Sequence, residues 1–96
     1  MQQYSTELLK QISELSALFF TPREVAIMLE LNVDDFILEC EFTSDRNGYK
    51  AFHSGRLQSE VDLRKSIIKL AKSGSSPAQN LALDMLLKSR VKMIDK

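Results

Sequence analysis

Residues 21–41, TPREVAIMLELNVDDFILECE, have the pattern of two short helices joined by a turn. Thr21 is expected to cap the first helix, Pro22 suits its first position because its missing N–H needs no partner there, and Glu24 completes the capping box. Asn32 is the expected cap of the second helix. The stretch therefore predicts a helix-turn-helix, around which the rest of the chain is organised.

The apolar positions of this segment fit that prediction. A small residue in the first helix of such a pair lets the second helix approach closely, and Ala26 occupies that position. The residues expected to support the pair from the core are Val25, Leu29, Leu31 and Phe36. Glu30 replaces the glycine that is usual in the turn, so we expect a right-handed backbone there and a longer or differently bent turn. A generic packing of three helices is the alternative.

The segments on either side also show helical spacing. A first helix is predicted from about residue 3 to residue 19, because its apolar residues recur at steps of three and four. These residues are Tyr4, Leu8, Ile12, Leu15 and Phe19. Turn-forming residues at 43–48 predict a break. A further helix is predicted over 49–73, with an interruption near Ser54-Gly55.

The last predicted helix runs from Pro77 to about Met93. Gly74 is expected to end the preceding helix in a left-handed conformation. Ser76 and Gln79 are predicted to form a second capping box at the start of the last helix. No stretch alternates with the period of a strand over a useful length, so the predicted fold class is all-α.

The length and composition predict a single domain. The chain has 96 residues, of which 44% are apolar and 27% charged, a balance typical of globular proteins. We predict one domain over 1–96, with a helix-turn-helix subregion of the homeodomain type at 1–42. A C-terminal helical hairpin, expected to serve oligomerisation, follows at 49–93.

Several classes of protein are not expected from these residues. No apolar run approaches the roughly 18 residues of a membrane span, and residues 1–10 lack the features of a signal peptide, so we expect a cytoplasmic protein without membrane contact. Cys40 and His53 are single residues of their types, which argues against a disulfide framework or a metal site, and Cys40 is most simply a buried hydrophobe. Since no catalytic or cofactor motif is present, we expect neither an enzyme nor a cofactor.

The charges are distributed unevenly although the formal net charge is zero. Residues 1–48 hold three Lys or Arg against nine acids, whereas residues 49–96 hold ten against four, which gives −6 and +6. Such an asymmetry suggests a surface that faces a polyanion, or halves of neighbouring subunits that attract each other. An accident of solvated surfaces is the alternative.

The candidate phosphate contacts lie outside the second helix of the pair. That helix carries Asp34, Asp35, Glu39 and Glu41, which would repel DNA phosphates. The candidate DNA-binding residues are therefore Arg46, Lys50, Arg56, Lys65, Lys69 and Lys72. Lys65, Lys69 and Lys72 recur at steps of four and three and form a stripe along one helix, which is also the pattern of an ordinary solvated face.

The C-terminal half carries more apolar surface than one small chain can bury. The last helix has a second apolar face, formed by Leu83, Leu87 and Val91, so we expect self-association through it. Glu60 and Arg64 are spaced as a helical ion pair within an apolar arc, where a pair of charges is suited to fixing assembly geometry. An exposed pair at the edge of the core is the alternative.

The order of these motifs resembles the small terminase subunits of tailed phages and prophages. The residues that carry the resemblance are Thr21-Pro22-x-Glu24, Gly48-Tyr49-x-x-Phe52-x-x-Gly55-Arg56, Glu60-x-x-Leu63-Arg64-x-x-Ile67-x-x-Leu70-Ala71 and Gly74-x-x-Pro77-Ala78. Each motif is short, and the resemblance, over about residues 20–90, lies in their order. It implies a non-enzymatic DNA-packaging component of a bacterial host cell that forms a ring, recognises viral double-stranded DNA and delivers it to the large terminase subunit, which carries the ATPase and nuclease.

Two other functions are compatible with the sequence. A small transcriptional regulator needs only the helix-turn-helix, and it would act as a dimer on a short palindromic site. A protein-interaction module would use the acidic helix to dock a basic partner and would not bind DNA. The family uses its helix-turn-helix for DNA, so the acidic helix of this chain departs from what the resemblance implies.

Overall fold

A computed structural model of the protein describes residues 4–94, and every regular element in that range is a helix. The helices are α1 (Thr6–Ser16), α2 (Pro22–Met28), α3 (Val33–Phe42), α4 (Asn47–Lys72) and α5 (Ser76–Ile94). The predicted all-α class is confirmed. Among the described residues, none of the helices is both long enough and apolar enough to cross a membrane.

The chain divides into two compact units, and the boundary lies inside α4. The N-terminal unit extends to Glu60, and the C-terminal unit begins at Val61. The polar segment 43–48, where the sequence predicts a break, lies within the N-terminal unit. It separates α3 from α4 there, and α4 begins at Asn47, two residues before the predicted start.

The N-terminal unit has a closed apolar core drawn from four helices. Its fully or almost fully buried residues are Ile12, Val25, Ala26, Phe36, Cys40 and Phe52. The ring of Phe36 packs edge-on against Tyr4, with centroids 6.1 Å apart, and against Phe52, with centroids 6.3 Å apart. Burying a side chain of this size stabilises the fold by roughly 2–3 kcal/mol. The predicted small residue, Ala26, is fully buried in this core.

The helix starts of the N-terminal unit follow the capping signals. The N–H of Glu24 donates to Thr21 Oγ1 at 3.2 Å, and the N–H of Thr21 donates to Glu24 Oε1 at 2.9 Å, which completes the predicted capping box. Asn32 Oδ1 accepts from the N–H of Asp35 at 3.0 Å and caps α3 as predicted. Ser5 caps α1. The predicted start at residue 3 lies outside the described residues.

The turn between α2 and α3 corrects the expectation for Glu30. Its φ is +58°, so the residue takes the left-handed conformation of the glycine it replaces. The N–H of Leu31 donates to the carbonyl of Ala26 at 2.9 Å, and the N–H of Glu30 donates to the carbonyl of Ile27 at 3.3 Å. These two bonds form a Schellman motif, which satisfies the last carbonyls of α2. The expectation of a longer, right-handed turn was therefore wrong.

Helix α4 is continuous through Ser54-Gly55, where an interruption was expected. Gly55 is buried, and a Cβ at this position would collide with the carbonyl oxygen of Ser13 and with Ser16 Oγ. The glycine is therefore needed for the close approach of α4 to α1. This glycine permits close packing between helices, so the expected interruption of the helix near Ser54-Gly55 was wrong.

The C-terminal unit contains the end of α4 and all of α5. Gly74, with φ +103°, ends α4 in a second Schellman motif, in which Ser75 N–H donates to the carbonyl of Leu70 at 3.1 Å. The cap of α5 is Ser75, whose Oγ accepts from the N–H of Ala78 at 3.4 Å. Ser76 is the first residue of α5, and Gln79 Nε2 donates to the carbonyl of Ala71 at 3.0 Å. The predicted Ser76–Gln79 capping box is therefore replaced by these contacts.

Candidate functional site

The three lysines predicted to contact phosphate form an exposed row on the C-terminal unit. Lys65, Lys69 and Lys72 are all exposed on α4, at steps of four and three that place them on one side of the helix. At about 1.5 Å per residue, the row is about 10 Å long. Lys69 and Lys72 lie in the last turn, where a positive charge also stabilises the helix C-terminus. We call this row the lysine stripe.

The uneven distribution of charge remains when the chain is divided at the boundary between its two compact units. From Val61 onward the chain holds eight Lys or Arg against three acids, a net charge of +5. Up to Glu60 it holds five against ten, a net charge of −5. Because the charges separate along the same boundary as the packing, the unit that carries the lysine stripe is also the basic one. Such a distribution concentrates the attraction for a polyanion on one unit.

Arg46, another predicted phosphate contact, is paired inside the N-terminal unit. Its Nε lies 3.6 Å from Glu39 Oε1, and its side chain is only 26% exposed. Glu39 is 1% exposed, so the guanidinium is a counter-charge for a buried carboxylate. An Arg46 that moved away to bind phosphate would leave this buried charge without its partner, which is costly. The structure therefore gives Arg46 a structural contact within the fold.

Glu39 was expected to be one of the acids of α3 that would repel DNA phosphates, but its side chain is buried. It is buried against Gly48, where a Cβ would collide with the carboxylate, and neither of its carboxylate oxygens accepts a hydrogen bond from the described residues. Burial and the nearby Glu39 carboxylate raise the pKa of Tyr4 above its usual value. Position 39 follows the buried Phe36 by three residues, so helical spacing placed it on the core side of α3.

Arg56 is also engaged within the N-terminal unit. Its Nη2 donates to the carbonyl of Phe20 at 2.9 Å, and its guanidinium lies over the rings of Phe52, 5.2 Å away, and Phe19, 5.9 Å away. Arg56 Nε is buried, and no described residue accepts a hydrogen bond from it. Contacts of this kind hold an arginine in place through hydrogen bonding and cation–π attraction. Of the predicted contacts in this unit, Lys50 is the exposed one.

The solvent side of α3 combines acids with apolar side chains. Asp34, Asp35 and Glu41 are exposed there. Leu38 and Phe42 lie beside them and are 48% and 75% exposed. Three carboxylates repel a phosphate backbone, whereas exposed leucine and phenylalanine are suited to contact with protein. The exposed side of α3 therefore has the character of a protein-docking surface.

The two apolar faces of α5 differ in burial. Ala78 is buried, and Ala82 and Met85 are half-buried, so these residues form the covered side. Leu83, Leu87 and Val91 are 56%, 50% and 56% exposed. They recur every four residues and form a row that we call the α5 stripe. Leu81 and Leu86 are also about half exposed, so the exposed apolar surface of α5 extends beyond the α5 stripe.

Glu60 is the last residue of the N-terminal unit, and Arg64 lies in the C-terminal unit. Glu60 is half-buried and Arg64 is exposed, whereas Lys88 and Asp84 form an ion pair within the C-terminal unit. Lys88 Nζ lies 3.0 Å from Asp84 Oδ2 in the i, i+4 spacing with the acid first, which is the favourable order.

Cys40 and His53 have structural surroundings. Burial and the neighbouring acids raise the pKa of the Cys40 thiol to about 12, so the thiol stays protonated at neutral pH. The backbone carbonyl of Cys40 accepts a hydrogen bond from His53 Nε2 at 2.8 Å, which fixes the proton on that nitrogen. The imidazole also lies against the ring of Tyr49, with centroids 4.2 Å apart. A protonated, buried thiol is a poor nucleophile and a poor metal ligand.

A shallow apolar pocket lies on the N-terminal unit. It has a volume of about 210 Å³ and is lined by Phe20, Glu24, Ile27 and Met28. The three lining residues of α2 are spaced i, i+3 and i+4, so they share one side of that helix. We call this the α2 pocket. Sequence analysis did not find it, because the alternation of exposed and buried apolar residues in α2 becomes visible only when the core is known.

The structure thus separates the six predicted phosphate contacts into two groups. Arg46 and Arg56 serve the packing of the N-terminal unit, whereas Lys50 and the lysine stripe are exposed. Comparisons of the chain with models of protein families, with curated proteins and with solved structures gave no match.

Proposed function

We propose that the chain is a self-associating, DNA-binding packaging component of the small terminase subunit type. The observation that carries this proposal is the lysine stripe, which is exposed on a unit of net charge +5. Exposed lysines supply affinity for the phosphate backbone without reading sequence. The proposed cargo is double-stranded DNA, which would be passed to a large subunit that carries the ATPase and nuclease.

The two units divide this work. Arg46 and Arg56 contact other groups of the N-terminal unit, and α3 of that unit carries exposed acids. The N-terminal unit therefore contributes little attraction for DNA. The C-terminal unit offers both the lysine stripe and the α5 stripe. One stripe gives weak binding, but several copies in a ring add their contacts, because each further contact on the same DNA is intramolecular. Assembly through exposed apolar residues and DNA binding through lysines are therefore parts of one function.

The test is charge reversal of the lysine stripe in the full chain. Lys65→Glu, Lys69→Glu and Lys72→Glu together are expected to abolish salt-sensitive retention on double-stranded DNA. Losing three phosphate contacts per subunit should also lower the slope of log affinity against log salt by about 3. The measurement is DNA retention of the protein across a salt series.

A matched control carries the same change of charge outside the stripe. Lys10→Glu, Arg23→Glu, Gln11→Glu and Ser44→Glu together change the net charge by the same amount at exposed positions of the N-terminal unit, and this variant should keep most of the retention. Equal retention by the stripe variant and the unaltered chain would exclude the lysine stripe. Equal loss in both variants would show that net charge alone attracts DNA.

A protein-interaction module is the second candidate function, and the exposed side of α3 favours it. Asp34, Asp35 and Glu41 flank the exposed Leu38 and Phe42, which suits a basic, apolar protein partner. Such a module would show no DNA retention at any salt concentration. A transcriptional regulator would retain DNA as a dimer and protect a short palindromic site, whereas a ring former would have the mass of many subunits.

A further inference from the structure

The α2 pocket is a concave apolar site with no covering segment among the described residues of its own unit. Ile27 is 60% exposed and Met28 is 44% exposed, although both line the pocket. Glu24 is the acidic residue among those that line it. Grooves of this kind accept the apolar side of an amphipathic helix, whose side chains recur every three or four residues.

The α5 stripe is an exposed apolar row on a helix, which is the kind of surface that such a groove accepts. Leu83, Leu87 and Val91 project from one side of the helix at i, i+4 and i+8, and each is at least half exposed. Lys88 and Arg90 lie in the same segment, and α5 as a whole holds three basic residues against Asp84. The stripe is therefore an apolar ridge on a basic helix.

The charges decide between two ways of covering that ridge. If two α5 stripes packed on each other, two units of net charge +5 would be brought together, and like charges across an interface are unfavourable. If the α5 stripe packed on the α2 pocket of another copy, a unit of +5 would meet a unit of −5. The attraction between opposite charges favours this second arrangement, and it also speeds the diffusional encounter of two copies.

We infer that the protein assembles head to tail, with the α5 stripe of one copy seated in the α2 pocket of the next. This inference deepens the proposed function, because it rests on the self-association proposed there and names the surface that receives α5. The occupant of the pocket is a second copy of this chain. Since the two contacting surfaces differ, each copy keeps one free pocket and one free stripe until the assembly closes.

Heterologous contacts of this type form closed rings when the rotation between copies closes, and open filaments when it does not. The lysine stripe lies on α4 and is not part of the contact, so its cations stay available to DNA. In this arrangement, the carboxylates of the N-terminal unit attract the basic unit of the next copy. The acidic character of that unit is thereby explained without any contact between α3 and DNA.

The test uses two full-length variants that each remove one side of the contact. The pocket variant carries Ile27→Gln and Met28→Gln, and the stripe variant carries Leu83→Gln and Leu87→Gln; all four positions are exposed, so helix content by circular dichroism should not change. Each variant alone should associate at least about tenfold more weakly than the unaltered chain, because the apolar centre of the contact is lost. The measurement is mass in solution by sedimentation.

Mixing the variants gives the result that only a head-to-tail contact predicts. The pocket variant keeps an intact stripe and the stripe variant keeps an intact pocket, so together they should form complexes of two copies of the 10.9 kDa chain. Leu63→Gln with Leu70→Gln is the matched control, since it removes two leucines that are 52% and 55% exposed outside the contact, and it should assemble normally.

Three outcomes would overturn the inference: normal assembly of the pocket variant alone, no complex after mixing, or a monomeric unaltered chain at high concentration. Added salt should weaken the head-to-tail contact because opposite charges are screened, whereas it would strengthen a contact between two basic helices. DNA retention by the lysine stripe is measured separately. A failed head-to-tail test with retained DNA binding would therefore leave the proposed DNA-binding function standing.

Discussion

The N-terminal unit has a closed apolar core and engages two of its arginines in contacts of its own, whereas the C-terminal unit leaves most of its large apolar side chains and its lysine stripe exposed. Ile12 and Phe36 are fully buried in the first unit, while Leu83 and Leu87 are half exposed in the second. Arg46 and Arg56 contact groups of their own unit, whereas the lysines of α4 face solvent. The difference indicates that the first unit is stabilised by a core of its own, whereas the second leaves apolar and basic side chains in solvent.

The comparison also separates two kinds of acid–base contact. The Arg46–Glu39 pair is largely buried, so its loss leaves a charge in the core. The Lys88–Asp84 pair is exposed on both sides, with 74% and 55% of the side chains accessible, so water replaces either partner at little cost. Ion pairs of similar residue types are therefore expected to contribute differently to the stability of the two units.

The largest expected effect comes from truncating one apolar residue in each unit. Phe36→Ala should lower the free energy of unfolding by about 4 kcal/mol, because it leaves a cavity in the closed core. Leu87→Ala should change the stability of the isolated chain by less than about 0.5 kcal/mol, because the side chain is already half exposed, but it should weaken self-association. Urea unfolding measures both, at concentrations below assembly.

Tyrosine fluorescence follows the unfolding of the N-terminal unit in Phe36→Ala, and circular dichroism, which reports the helices of both units, follows Leu87→Ala. The chain has two tyrosines and no tryptophan, and Tyr4 and Tyr49 both belong to the N-terminal unit. A loss of stability in Leu87→Ala as large as that in Phe36→Ala would show that the units do not differ as described.

A smaller effect is expected from breaking the buried ion pair. Arg46→Met should destabilise the N-terminal unit by about 3 kcal/mol, since the carboxylate of Glu39 keeps its desolvation penalty and loses its counter-charge. Adding Glu39→Met should restore most of that loss, because both charges are then removed. The measurement is again urea unfolding followed by tyrosine fluorescence.

Lys88→Met is the control for the ion pair, because it breaks an exposed pair and should cost less than about 0.5 kcal/mol. Its unfolding is followed by circular dichroism, because Lys88 lies in the unit that has no tyrosine. If Arg46→Met were equally mild, Arg46 would not be a structural counter-charge. It would then return to the set of candidate phosphate contacts.

The smallest expected effect concerns the two Schellman turns. Glu30→Gly should raise the stability of the N-terminal unit by about 1 kcal/mol, because glycine adopts the left-handed conformation that strains glutamate. Gly74→Ala should lower the stability of the C-terminal unit by a similar amount, since a Cβ there meets nothing within 4 Å and only the backbone is strained. Thermal unfolding by circular dichroism measures both changes.

Opposite signs are the diagnostic result. If Glu30→Gly lowered the free energy of unfolding, the strain prediction would be contradicted. The glutamate side chain would then stabilise the fold by more than its left-handed backbone costs.

The sequence by itself determined the features that depend on near neighbours. The capping box at Thr21, the cap at Asn32 and the left-handed Gly74 follow from hydrogen bonds within a few residues, so residue type and spacing were enough. Helical periodicity likewise placed Ala26 and Phe36 in the core. It also placed Leu83, Leu87 and Val91 on a face separate from Ala78, because a helix fixes the direction of every side chain along it.

Only the tertiary structure decided which residues meet across the fold. Arg56 donates to Phe20, 36 residues away, and Gly55 is required because α4 passes against Ser13. Glu39 could be assigned a role only after Arg46 was found beside it. Charge patterns give the number of cations but not their partners, since pairing depends on distances between helices. Those distances are set by the packing of the whole unit, and they left the lysine stripe exposed while Arg46 and Arg56 were drawn into the fold.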